Sequence, residues 1–167
     1  AVQKPGWLAT ADVNGDRKLD LIVGTGAGVK LFLAADKAYA DATEARGLGG
    51  VAAAFCVAGD INGDGKADLL LGKTLYVNGG DKFAPAKVTL DLPAEGEWLA
   101  VALADATGDK KPDALVLLKS GKLLVLENPG SPDKPSAATA KQLWQGGAAP
   151  SAAALSTDWG EDEQLCV

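Results

Sequence analysis

The chain has 167 residues, 47% of them hydrophobic, a formal charge of −6 and no histidine. That is enough apolar material for one domain core. It excludes His-based triads, haem ligation and most zinc sites, and the acidic balance argues against nucleic acid and anionic membranes, which are bound through surplus Lys and Arg.

The first residues, "AVQKPGWLAT", show neither an initiator Met nor a signal-peptide core, so the N-terminus reads as processed or cut. No apolar run approaches the roughly 18 residues of a membrane span, so no membrane insertion is expected. Chain order then gives a short apolar stretch, "WLATA", the acidic stretch "ADVNGDRKLDLIVG" from Ala11, and a Gly-bounded run, "GVKLFLA", from Gly28. After "YADATEARGL" from Tyr39 the sequence begins again: "FCVAG", "GDINGDGKADLLLG" from Gly59, then "TLYVNGG" from Thr74. The third round is "VALA", "ADATGDKKPDALVLL" from Ala104 and "GKLLVLENPG" from Gly121, and a decayed fourth holds "AALST" and "TDWGEDEQLCV" from Thr157. The leading aspartates, Asp12, Asp60, Asp105 and Asp158, are spaced by 48, 45 and 53 residues. Such periods are the signature of repeat architectures.

Short apolar runs bounded by Gly and Asp read as buried strands, because a helix needs ten or more residues at a 3.6-residue period. A weaker, polar fourth segment follows in "FAPAKVTLDL" from Phe83 and in "AKQLWQG" from Ala140. Four strands per repeat, the most Ala-rich one first, fit a propeller blade whose inner strand is crowded near the axis. The expected fold is all-β: blades of four antiparallel strands, about three and a half of them, with blade 1 at 1–50, blade 2 at 51–98, blade 3 at 99–150 and the start of blade 4 at 151–167. A partial propeller leaves apolar faces bare, so another protein chain is expected to complete or cover it.

These residues resemble the FG-GAP/VCBS repeats of calcium-loop β-propellers, known from integrin alpha chains and secreted bacterial proteins. "LYVNGGDKFAP" is similar to that family's third strand and turn, and "YADATEARGL" to its blade-closing segment. The resemblance implies Ca²⁺ as the cofactor and a secreted, periplasmic or cell-surface location.

The loop chemistry can be stated without the family. A Ca²⁺ ion takes six to eight oxygens at about 2.3–2.6 Å, so a loop must aim alternate side chains inward. Relative positions 1, 3, 5 and 9 supply side-chain oxygens: Asp12, Asn14, Asp16 and Asp20 in the first loop, and Asp60, Asn62, Asp64 and Asp68 in the second. The third offers Asp105, Thr107, Asp109 and Asp113, where a hydroxyl replaces the amide, and is expected to bind more weakly than the other two. Position 7, held by Lys18, Lys66 and Lys111, is expected to give a main-chain carbonyl, which leaves its side chain without importance. Gly15, Gly63 and Gly108 at position 4 permit the positive φ of a tight turn, as does Gly65 at position 6, where Arg17 and Lys110 carry more strain. In the fourth loop Gly160 and Cys166 stand where ligands should be, leaving Asp158 and Asp162, and no ion is expected there. Nine of the 22 acids lie in the three good loops, so three bound Ca²⁺ ions would cancel the formal charge of −6.

Each of these readings has a plainer rival. Asp-Asn-Gly clusters also make ordinary hairpin turns, in which the side chains bond their own backbone, although a threefold recurrence between apolar strands weighs against chance. An EF-hand or dockerin loop shares the D-x-N-x-D start but needs an acid at position 12 and a following helix; Val23, Leu71 and Val116 stand there instead. Trp7 and Phe55, each five residues before a leading aspartate, are expected in the wedge between blades. Trp98 and Trp144 fall near outer or connecting segments and Trp159 in the decayed loop; packing is favoured over a sugar-stacking platform. Cys56 and Cys166 lie too far apart in the blade order for a disulfide, which needs Cα atoms within about 7 Å, so Cys56 is expected as a small apolar residue.

For function, the sequence favours a non-enzymatic calcium-binding scaffold that contacts a protein or a glycan. The alternatives are a segment of a calcium-dependent lyase or hydrolase, for which Glu95, Glu97, Glu127 and Asp133 are candidates only by elimination, and an anchoring subunit of a larger assembly. Fold alone does not choose among them.

Overall fold

A computed structural model describes residues 5–86, 98–128 and, for the backbone alone, 140–145. Among them there is no helix, and twelve strands form three antiparallel four-stranded sheets. The sheets fall into two compact units, the first two sheets in one and the third in the other. The expected fourth repeat, with Asp158, Trp159, Gly160, Asp162 and Cys166, lies outside the described residues, as do Glu95, Glu97 and Asp133.

The first sheet runs in chain order through β1 (Pro5–Ala11), β2 (Asp20–Thr25), β3 (Gly28–Ala35) and β4 (Ala38–Asp41). The second is built the same way from β5 (Cys56–Gly59), β6 (Asp68–Leu71), β7 (Thr74–Asn78) and β8 (Phe83–Pro85). The third comprises β9 (Trp98–Ala104), β10 (Asp113–Leu118), β11 (Lys122–Leu126) and β12 (Ala140–Gln145). In each, the acidic stretch connects the first strand to the second. Trp98 opens the first strand of its sheet.

Register decides which side chains share a face. In the first sheet Trp7 lies opposite Gly24 and Ala9 opposite Ile22, which in turn faces Leu31. This face is the core of the first unit, where Ile22 and Leu31 are fully buried and meet Leu69, Leu71 and Phe83 of the second sheet. The match is a consequence of period-two alternation, which places every second residue of a strand on one side. Trp7 ties the first sheet to the segment leading into the second: its indole Nε1 donates to the carbonyl of Ala53 at 2.8 Å, three residues before β5 begins. Cys56 is half-buried at the margin of the same core, and burial pushes its thiol up to about 12.

Between the sheets, "ADATEARGLGG" folds into successive tight turns around the fully buried Leu48. Thr43 fixes the entry: its hydroxyl donates to Asp41 Oδ1 at 2.6 Å and accepts the N–H of Leu31 at 3.0 Å. These bonds from Thr43, with Lys30 beside it, hold the Asp41 carboxyl below its ordinary value. Arg46 then reaches back, donating from Nη2 to the carbonyl of Val13 at 2.8 Å, with its guanidinium 5.5 Å from the centre of the Phe83 ring.

Candidate metal centre

Each acidic stretch forms the same nine-residue loop, and its aspartates act first on the main chain. At position 1, Asp12 accepts the N–H groups of Gly15 (2.7 Å) and Asp16 (3.2 Å) on Oδ1 and that of Arg17 (2.7 Å) on Oδ2. Asp60 does the same with Gly63, Asp64 and Gly65, and Asp105 with Gly108, Asp109 and Lys110. A single carboxylate thus gathers three amides by curling the chain around itself, which is the Asx-turn chemistry weighed above.

The curl demands left-handed backbone. Position 4 is glycine in all three loops, with φ of 78°, 77° and 80°, and a Cβ there would meet nothing within 4 Å. Glycine is needed for its torsion angle, then, and not for space. At position 6 Gly65 has φ 82°, whereas Arg17 and Lys110 hold φ of 65° and 66°, as expected of strained equivalents that cost roughly 1–2 kcal/mol each.

Position 9 carries a role that the spacing did not reveal. Asp20, Asp68 and Asp113 are fully buried. Through Oδ2 each accepts main-chain N–H groups at the start of its own loop: Val13 for Asp20, Ile61 and Asn62 for Asp68, Ala106 and Thr107 for Asp113. Through Oδ1 each accepts one N–H from the end of the third strand or just beyond: Ala34 at 2.8 Å, Asn78 at 2.8 Å and Asn128 at 2.7 Å. The carboxylate is a clasp that ties the loop to the far end of the hairpin behind it. Asn78 and Asn128 add an arm, their Nδ2 groups donating to the carbonyls of Ala67 and Pro112. The repeated Asn in "YVNGG" and "LENPG" was the available signal.

Positions 3, 5 and 7 line the outer side. Asn14 and Asn62 accept the N–H of Asp16 and Asp64 at 2.9 Å, and Asp16, Asp64 and Asp109 accept the N–H two residues on. In the third loop the Thr107 side chain instead bonds Asp109. Position 7 is not indifferent to its side chain: Lys66 and Lys111 place Nζ 3.2 Å from Asp64 and Asp109, while Lys18 turns to Asp36 at 2.8 Å. Exposed pairs of this kind contribute little to stability.

The electrostatics separate the two ends of the loop. Asp12 and Asp64 lose some solvation, yet hydrogen bonds to Asp12 from the turn amides, and to Asp64 from Lys66 and Asn62, hold both below the ordinary carboxylate value. The N–H of Lys111 does the same for Asp109. For Asp68 burial wins and its carboxyl is pushed up.

A hard-oxygen donor set of three carboxylates, an amide or hydroxyl and a main-chain carbonyl suits Ca²⁺. A carboxylate oxygen that accepts one N–H keeps a second lone pair, so the donor chemistry of Asp12, Asn14, Asp16 and Asp20, and of the corresponding residues in the other loops, fits the ion. Among the described residues no three acidic side chains yet converge as a metal-holding group; the oxygens are spread around the turn, each on its own amides.

The family model described as an FG-GAP-like repeat matches residues 12–71, from the first position of one loop through the strand that follows the next loop. The chain carries FG-GAP-like repeats over that span. The third loop lies beyond the match, but it repeats the position-1 curl and the position-9 clasp of the second loop bond for bond. Among solved structures, the V. cholerae biofilm matrix protein Bap1 is similar, 24% identical over 75% of this chain and 19% of that one, with a TM-score of 0.46. The chain thus spans about a fifth of that protein's length. No curated protein matches the chain. Among the described residues no helix is long and apolar enough to cross a membrane.

Proposed function

We propose that this chain is a calcium-binding β-propeller module that works outside the cytoplasm as a non-enzymatic scaffold, each four-stranded sheet being one blade. The supporting observation is the threefold recurrence of one loop, with side-chain oxygens at positions 1, 3, 5 and 9 and the same clasp to the third strand. Asp12, Asn14, Asp16 and Asp20 would hold the first ion with the carbonyl of Lys18, the corresponding residues with Lys66 the second, and Asp105, Thr107, Asp109 and Asp113 with Lys111 the third and weakest. The ion would supply the positive charge that lets these carboxylates turn toward one another. Extracellular calcium modules bind at about 10⁻⁴–10⁻³ M, which suits an exported protein.

The test is calorimetric. Calcium titration should show two similar sites and one weaker, and because only the folded loop binds well, calcium should raise the melting temperature and a chelator lower it. At a hundredfold excess over Kd the gain is about 2.7 kcal/mol per site. Asp60→Ala with Asp64→Ala should remove more of that gain than Asp105→Ala. Absence of binding heat together with an unchanged melt rules the reading out.

A second observation bears on the partner. The second sheet packs on the first through Cys56, Ala58, Leu69, Leu71 and Tyr76. The matching face of the first sheet holds Leu8, Thr10, Leu21, Val23 and Phe32, as the common loop register dictates. Leu69 and Leu71 are 0% and 3% exposed, whereas Leu21 and Val23 are half-buried and Leu8 is 63% exposed. That face fits a further sheet of the same kind, supplied by another protein chain, better than it fits a glycan, since its described side chains are mostly aliphatic. Leu8→Asp should therefore leave folding intact and abolish association in sedimentation with that partner or with a second copy. Unaltered association would remove this face from the interface.

A further inference from the structure

We propose that Asn78 is a positioning residue that couples the loop at 12–20 to the loop at 60–68, so that a cation held in one raises the affinity of the other; the cation part rests on the calcium reading above.

Asn78 ends β7 and is fully buried. Its main-chain N–H donates to Asp68 Oδ1 at 2.8 Å, and its Nδ2 donates both to the carbonyl of Ala67 at 3.0 Å and to that of Val13 at 2.9 Å. Its Oδ1 accepts the N–H of Gly80 at 3.0 Å. One side chain therefore grips position 8 of the second loop and position 2 of the first. Val13 completes the path, since its own N–H donates to Asp20 Oδ2 at 3.0 Å. Three hydrogen bonds, Asp68 to Asn78, Asn78 to Val13 and Val13 to Asp20, thus link the two buried carboxylates of different loops.

Each of these groups is buried or nearly so, and a buried polar group left unpaired is costly. A shift of Asp68 toward a cation cannot leave Asn78 behind, and a shift of Asn78 carries the Val13 carbonyl with it. Arg46 Nη2 donates to the same carbonyl at 2.8 Å and lies 3.5 Å from Asn78 Oδ1, which keeps Val13 from slipping free of the linkage. Each loop has two arrangements, with its carboxylates on amides alone or on amides and a cation, and the shared hydrogen bonds make the choices interdependent. The arm runs one way: in the first sheet Ala34 occupies the place of Asn78 and has no amide to extend.

The experiment is a calcium titration of the whole chain followed at the Gly15 and Gly63 amide resonances, which report the position-1 carboxylates of the two loops. In the parent, disabling the second loop by Asp64→Ala should raise the calcium midpoint at Gly15 by about fivefold or more. In the Asn78→Ala background the same change should leave the Gly15 midpoint where it is, and Asn78→Ser serves if the alanine variant does not fold. An equal shift in both backgrounds, or none in the parent, overturns the coupling. If neither resonance responds to calcium in the parent, the calcium reading fails, and hydrogen exchange at the Val13 N–H in calcium-free buffer then decides the linkage. Asp60→Asn should speed that exchange when Asn78 is present and not when it is absent; equal effects in both would overturn it.

Discussion

Asp68→Ala is expected to destabilise the chain by about 3–5 kcal/mol in calcium-free buffer at neutral pH, a large share of the roughly 5–15 kcal/mol that holds a domain folded. Asp68 is fully buried and accepts the N–H groups of Ile61, Asn62 and Asn78 at 3.1, 3.3 and 2.8 Å. Alanine leaves all three donors without an acceptor, each at a cost of about 1–3 kcal/mol, and opens a small cavity. Asp68→Asn should cost less: it keeps one oxygen and relieves the charge whose burial pushes the Asp68 carboxyl up. The sign of that shift is itself a check. A carboxyl whose folded pKa is raised binds its proton more tightly in the folded state, so its own contribution to stability improves as pH falls through that value. Asp64→Ala, in the same loop but with an exposed side chain, should cost under about 1 kcal/mol. Urea unfolding at matched pH measures all three, and similar losses for Asp64→Ala and Asp68→Ala would show that the clasp contributes nothing special.

The second large effect belongs to the joint between the first two sheets. Trp7→Ala should cost about 2–4 kcal/mol, below the usual span for a fully buried aromatic because the indole is half-exposed. It removes both the packing against the core and the bond from Nε1 to the Ala53 carbonyl. The indole lies directly over Gly24, where any Cβ would fall among the ring atoms. Gly24→Ala must therefore displace Trp7 and should cost about 1–3 kcal/mol by overpacking. With Trp7 already removed, the same Gly24→Ala change should be nearly free. Additive losses in that double-mutant cycle would mean that Gly24 does not seat the indole.

Much of this was readable in the sequence because it is local. The alternation of Asp, Asn and Asp, the glycine at position 4 and the apolar runs on either side specify a tight loop between two strands without reference to anything distant. The position-9 clasp was not readable, because one of its partners is the main-chain N–H of Ala34, Asn78 or Asn128, and an amide donor leaves no mark in residue type. Asn78 was half legible, as one of a recurring pair, but its reach to Val13 crosses 65 positions. The contrast between Leu21 and Leu69 was hidden for another reason. The two repeats spell nearly the same strand, and what separates them is the neighbour each one meets.

The clasp has a practical consequence for protein engineering. It anchors both ends of each β-hairpin, at position 9 of the loop and at the close of the third strand, while the two anchors stand 14, 10 and 15 positions apart in the three repeats. Nature has already changed the length of this segment without disturbing the anchors. The tips at Gly26–Ala27, Gly72–Lys73 and Lys119–Ser120 are thus ready sites for grafting foreign peptides. Doubling such a tip adds only about 0.6 kcal/mol of closure entropy, and two or three grafts displayed from one small chain would turn the repeat into a multivalent presentation scaffold.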